Sequence, residues 1–142
     1  MDKQFMLSTR ILFCSVCMGP ILFIGVVVLL QAGIDRPFIR EGDPLLYTVI
    51  AVATASVTGS TLFYRLRLPA VKSLSDLTEK LAAWRTLFII KLAILEGSIL
   101  FSVVALLIQE TDIYLYIAAA LTGMQTLNFP LESSLLKELD IS

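Results

Sequence analysis

Leu87-Phe88-Ile89-Ile90-Lys91-Leu92-Ala93-Ile94-Leu95-Glu96-Gly97-Ser98-Ile99-Leu100-Phe101-Ser102-Val103-Val104-Ala105-Leu106-Leu107-Ile108 is an apolar run with one acid, Glu96, near its middle. A bilayer core of roughly 30 Å is crossed by about 20 mostly apolar residues in a helix, so the run predicts a membrane span. A carboxyl at that depth is costly to keep and marks a functional or helix-bonding position.

Working outward, three more apolar stretches have comparable character: Ile11 to Leu30, Leu45 to Tyr64 and Ile113 to Phe129. With 57% hydrophobic residues in 142 and a mean hydropathy of +0.86, the chain is too apolar for a soluble domain of this size. The expected fold is all-α: one integral membrane domain over residues 1–142, an antiparallel four-helix transmembrane bundle with spans at about 11–30, 45–64, 87–108 and 113–129. The first stretch reads as a retained span, because its apolar run exceeds a signal-peptide core and no small-residue cleavage site follows.

Charge placement orients the bundle. Lys3, Arg10, Arg65, Arg67, Lys72, Lys80, Arg85 and Lys137 fall on one side, whereas the other holds Arg36 and Arg40 diluted by Asp35, Glu41 and Asp43. Basic loops stay in the cytoplasm, so both termini are expected there and the protein in the cell (inner) membrane. Tyr64 and Trp84 then mark the inner interface; Tyr47, Tyr114 and Tyr116 mark the outer one.

Within the spans, Gly19-Pro20 predicts a kink, because proline lacks the N–H that would bond the Val16 carbonyl. Ala51, Ala55 and Gly59 recur at four-residue spacing, which lets helices pack closely in a membrane. Tyr47, Thr54, Thr58, Thr61 and Arg65 form a polar stripe along the same helix. It reads either as threonines bonded to their own helix carbonyls or as a hydrophilic track facing the bundle. Ser73 to Asp76 resembles a capping box, and Leu74, Leu77, Leu81 and Trp84 at helical spacing predict an amphipathic interfacial helix over about 74–85. The link Gln109 to Asp112 makes the last two spans antiparallel neighbours, with Thr111 or Asp112 as cap. Leu131, Leu135 and Leu139 suggest a short amphipathic tail helix.

Glu96 has an apolar helical face, and Lys91 points nearly opposite it toward the membrane surface. Without a cation at its depth, desolvation favours the neutral acid, which can donate a hydrogen bond. The expected acceptors are the carbonyl freed beneath Pro20, Thr54 and Thr122. That arrangement suits handling of a proton or cation, a non-catalytic accessory or assembly role in a larger membrane complex, or binding and transport of a small solute or lipophilic cation.

Cys14 and Cys17 have the C-x-x-C spacing but no second cysteine pair, and read as two small apolar-environment thiols. The sequence has no histidine, phosphate-binding glycine loop, nucleophile elbow or basic nucleic-acid patch. No enzyme, cofactor, metal or nucleic-acid partner is expected; the bilayer is, together with a homo-oligomer or a larger membrane complex.

From Arg65-Leu66-Arg67-Leu68-Pro69 through Glu96 and the run Ile99 to Ile108, the chain partly resembles the hairpin of rotor c-subunits of ion-driven ATP synthases. That resemblance implies ion exchange at Glu96. The loop is longer than in that family, and span 2 lacks its repeated glycines. Across most of its length the chain, with Glu96-Gly97-Ser98-Ile99-Leu100-Phe101 and a short acidic tail, is similar to small four-span membrane proteins of bacteria. This kinship implies the fold and no activity.

Overall fold

The computed structural model describes residues 3–139, which form an all-α bundle of five helices: α1 (Lys3–Leu30), α2 (Pro44–Lys72), α3 (Leu77–Gln109), α4 (Asp112–Thr126) and α5 (Glu132–Glu138). Among the described residues, α1, α2 and α3 are long and apolar enough to cross a membrane, which makes the chain a candidate multi-pass membrane protein. α4 covers most of the expected fourth span but has only 15 residues, about 22 Å at 1.5 Å per residue. It is shorter than a bilayer core.

Local chemistry fixes the helix ends, and two of them differ from the sequence expectation. α2 continues past Tyr64 and through Pro69 to Lys72. Leucine and arginine are good helix formers, and Lys72 in the last turn suits the negative end of the helix dipole. Ser73, expected to open the next helix, instead closes α2: its N–H donates to the Pro69 carbonyl and its Oγ to that of Ala70 (2.8 Å). Asp76 is the N-cap of α3, accepting from Glu79 N at 3.1 Å. The amphipathic segment 77–85 therefore lies within α3, continuous with the apolar span. At the far end Glu110 turns the chain in a left-handed conformation (φ 51°) and donates its N–H to the Leu106 carbonyl. Thr111 occupies the N-cap position of α4 without a side-chain capping bond.

α3 is the hub, packed against α1, α2 and α4. Its buried residues run its whole length, from Leu81 to Leu106. They join two separate apolar clusters. One, at the basic end, includes Phe13, Cys17, Tyr64, Trp84, Phe88 and Leu92, and also takes in Leu135 and Leu139 from the tail. The other includes Val27, Val49, Ile99, Val103, Leu106 and Tyr114.

A hydrogen-bonded clamp closes the second cluster. Gln31 donates to the Leu106 carbonyl at 3.2 Å, Arg36 donates to Gln31 Oε1 at 2.8 Å and pairs with Asp112 at 3.0 Å, and Tyr114 donates to the buried Asp43. The Pro37 and Phe38 carbonyls accept from the N–H groups of Asp112 and Ile113. Asp43 also caps α2 through Leu45 N, with Pro44 at the first helical position, where a missing N–H costs nothing.

Candidate functional site

The two apolar clusters part at one level of the bundle, where each of the four long elements contributes a residue foreign to an apolar core. In α1 the clusters end at Cys17 and resume at Phe23, with Pro20 buried between them. In α2 the gap holds Ser60, in α3 Glu96 and Ser98, and in α4, beyond Leu121, Gln125. Ser60 donates to the Val57 carbonyl of its own helix at 3.2 Å. Gln125 and Ser98 have no such outlet: they are 0% and 3% exposed, and among the described residues neither the Gln125 amide atoms nor Ser98 Oγ has a hydrogen-bond partner. Buried polar side chains are nearly always bonded, and each unmet group costs about 1–3 kcal/mol.

Glu96 is partly buried at this level and its carboxyl lies against α1: a β-carbon placed on Gly19 would stand 3.2 Å from Glu96 Oε1. Glycine serves two contacts here. It gives the acid room and removes the β-carbon that would crowd the ring of Pro20. No described residue forms a hydrogen bond or ion pair with the Glu96 carboxyl.

Glu96 lies beside Gly19, next to Pro20, but among the described residues it makes no hydrogen bond to the carbonyl beneath Pro20 or to either threonine. Thr54 Oγ1 donates to the Ile50 carbonyl and Thr122 Oγ1 to that of Ala118, both at 2.8 Å. Thr54 is on the outside of the bundle, as are Tyr47, Thr58, Thr61 and Arg65. Ala51, Ala55 and Gly59 are exposed too, with nothing within 4 Å of a β-carbon on Gly59. Both thiols are free, Cys17 in the core and Cys14 at the surface. Among the described residues no group of three His, Cys, Asp or Glu side chains could hold a metal.

A second polar constellation lies at the basic end. Trp84 Nε1 donates to Tyr64 Oη (2.9 Å) and to Glu138 Oε2 (3.1 Å), and the Tyr64 hydroxyl donates to the same carboxylate oxygen. Lys91 donates to Asn128 Oδ1 at 2.5 Å and stands 5.0 Å from the Tyr64 ring centre. These groups border a hollow of about 180 Å³, walled by Phe88, Phe129 and Leu131. Lys91 was legible only as a cation near the membrane surface; its partners are Asn128, just past α4, and the Tyr64 ring of α2, beyond the reach of helical spacing.

No protein family, curated protein or solved structure matches the chain.

Proposed function

We propose that the protein is a small multi-pass module of the cell membrane that handles a proton or a small cation through Glu96. In this reading α4 and the residues up to Phe129 complete a fourth crossing, and the basic end, with both termini, faces the cytoplasm. The observation that carries it is the unmet polar layer: a carboxyl against Gly19, unpaired among the described residues, at the level where Ser98 and Gln125 are buried with no partner among them. An apolar layer would be cheaper in lipid, and ionisable groups at this depth serve proton and ion pathways. Glu96, the one titratable group in the layer, is the group that takes up and releases the ion.

The test is Glu96→Gln, which keeps hydrogen-bonding capacity and removes titration. The variant is expected to fold, to lose reaction with a hydrophobic carbodiimide, and to abolish pH-driven proton or cation flux in proteoliposomes. Wild-type flux unaltered by the substitution would refute the proposal.

One observation favours a second reading, a non-catalytic subunit of a larger assembly. The Ala51, Ala55 and Gly59 face is unused inside the bundle and has the small-residue spacing that membrane helices use against one another. Gentle extraction and sizing would distinguish a lone bundle from an assembled one.

A further inference from the structure

The constellation at the basic end is made of donors. Trp84 offers one N–H, Tyr64 one O–H and Lys91 an ammonium with three protons, and none of these nitrogens accepts. Among the described residues the acceptors that meet them are the Asn128 amide oxygen, bound to Lys91, the Tyr64 hydroxyl oxygen, which takes the Trp84 N–H at 2.9 Å, and the carboxylate of Glu138, which takes both aromatic donors at a single oxygen. Glu138 is the last residue of α5, a helix of seven residues seated through Leu135 and Leu139. Its carboxylate does not fill the space it enters, since the hollow of about 180 Å³ is measured with Glu138 in place. At roughly 30 Å³ per water, that is room for a phosphate or carboxylate group.

The surroundings say what the anion is attached to. The Lys91 ammonium borders the hollow, and Arg10 stands over Phe129, which walls it, at 5.8 Å. The rim is apolar and open: Leu127 is 86% and Leu131 51% exposed, and both border the hollow. A free anion gains nothing from such a rim. An acyl or alkyl chain lying along it would be covered by Leu127 and Leu131 on one side and by membrane lipid on the other.

We propose that this pocket binds the oxyanion head of a membrane amphiphile, a phosphate or carboxylate bearing an alkyl chain, and that Glu138 is an internal stand-in which the ligand displaces. Binding exchanges one carboxylate for another oxyanion at Trp84 and Tyr64, with Lys91 supplying the charge, and releases α5 from the bundle. The site is separate from Glu96, so its failure leaves the ion-handling reading standing.

Trp84 is the sole tryptophan of the chain and sits in the pocket, so its emission reports occupancy directly. Full-length protein in maltoside micelles would be titrated with dodecyl phosphate, with inorganic phosphate and dodecyltrimethylammonium as head-only and opposite-charge controls. Dodecyl phosphate is expected to shift the emission saturably. Glu138→Ala should lower the midpoint by about tenfold, the factor by which a site open one-tenth of the time weakens its ligand. Lys91→Gln should raise it by a similar factor. Glu138→Gln, whose amide oxygen still accepts from both donors, keeps α5 seated and should fall between wild type and Glu138→Ala; it serves as the test should the alanine variant fail to fold. An emission indifferent to dodecyl phosphate in wild type and Glu138 variants, or a Glu138 variant that binds no tighter than wild type, overturns the proposal and leaves Glu138 a fastening for α5. An equal response to inorganic phosphate overturns the amphiphile, and an equal response to the cationic detergent overturns the oxyanion.

Discussion

Gly19 and Glu96 are fitted to each other: the acid occupies the space a side chain on α1 would take, with Oε1 3.2 Å from where a β-carbon would stand. The contact joins the residue that precedes the only proline of α1 to the only acid of the α3 apolar run, on two helices packed together.

Gly19→Ala isolates that contact without altering the acid. In an open helix position the exchange stabilises by about 0.5–1 kcal/mol. Here the carboxyl must retreat by a few tenths of an ångström, and the Pro20 ring meets a new β-carbon. Thermal melting is expected to show no gain, and carbodiimide modification of Glu96 should change in rate. A full helix-propensity gain with unaltered labelling would show that the carboxyl does not rest on Gly19.

Gln125→Leu removes an amide that meets no partner among the described residues. Stability should hold or rise by about 1 kcal/mol, since an unmet buried polar group is destabilising, while the infrared carboxyl band of Glu96 shifts if the amide tunes the polar layer. A loss of more than about 2 kcal/mol would mean that the amide is satisfied in the membrane.

Tyr114→Phe leaves Asp43 buried and short of its donor. The expected loss is about 1–3 kcal/mol, read as a lower melting temperature. Asp43 still caps α2 through Leu45, so helix content should be preserved below the transition.

Gly59→Leu separates the bundle from its neighbours. With nothing within 4 Å of the added β-carbon, the stability of a single bundle should change by less than about 0.5 kcal/mol. Any larger effect must come from contact between chains, and loss of a detergent-resistant oligomer on sizing would locate that contact on the Ala51, Ala55 and Gly59 face.

A cysteine at Ser73, in the link between α2 and α3, reports sidedness. It should be labelled by an impermeant maleimide only from the cytoplasmic face, as the basic residues on either side of it require. Labelling from the opposite face would invert every assignment of depth.

Hydropathy alone made the three long helices legible, because lipid imposes a length and a composition on each crossing. Rotation about the helix axes was not legible. A helix apolar nearly all round has no stripe to declare which face is inside, so Thr54 and Thr122 looked as suitable for Glu96 as any hydroxyl, whereas both bond their own backbones. Gln125 falls with Tyr114, Ala118 and Thr122 on one face of the last span, which marked it for helix contact, and it is buried with Tyr114 and Ala118; its place at the level of Glu96, and that of Ser98, carried no signal. The end of α2 was missed because Pro69 and the charges around it read as a loop, although a basic helix can extend beyond the apolar core. The Glu138 contacts with Tyr64 and Trp84 span 74 and 54 positions, a separation at which no spacing rule operates.

The clamp around Arg36 has a consequence for the order in which the chain is completed. Gln31 waits for Leu106, 75 residues later, and the Pro37 and Phe38 carbonyls wait for Asp112 and Ile113. During synthesis the first hairpin must therefore reside in the membrane with its connecting loop unfastened until the third helix and the beginning of the fourth have emerged. Late loop closure of this kind delays the last native contacts. A nascent chain halted before Thr111 would hold its long helices yet leave Arg36 without Asp112 and the Pro37 and Phe38 carbonyls without their donors.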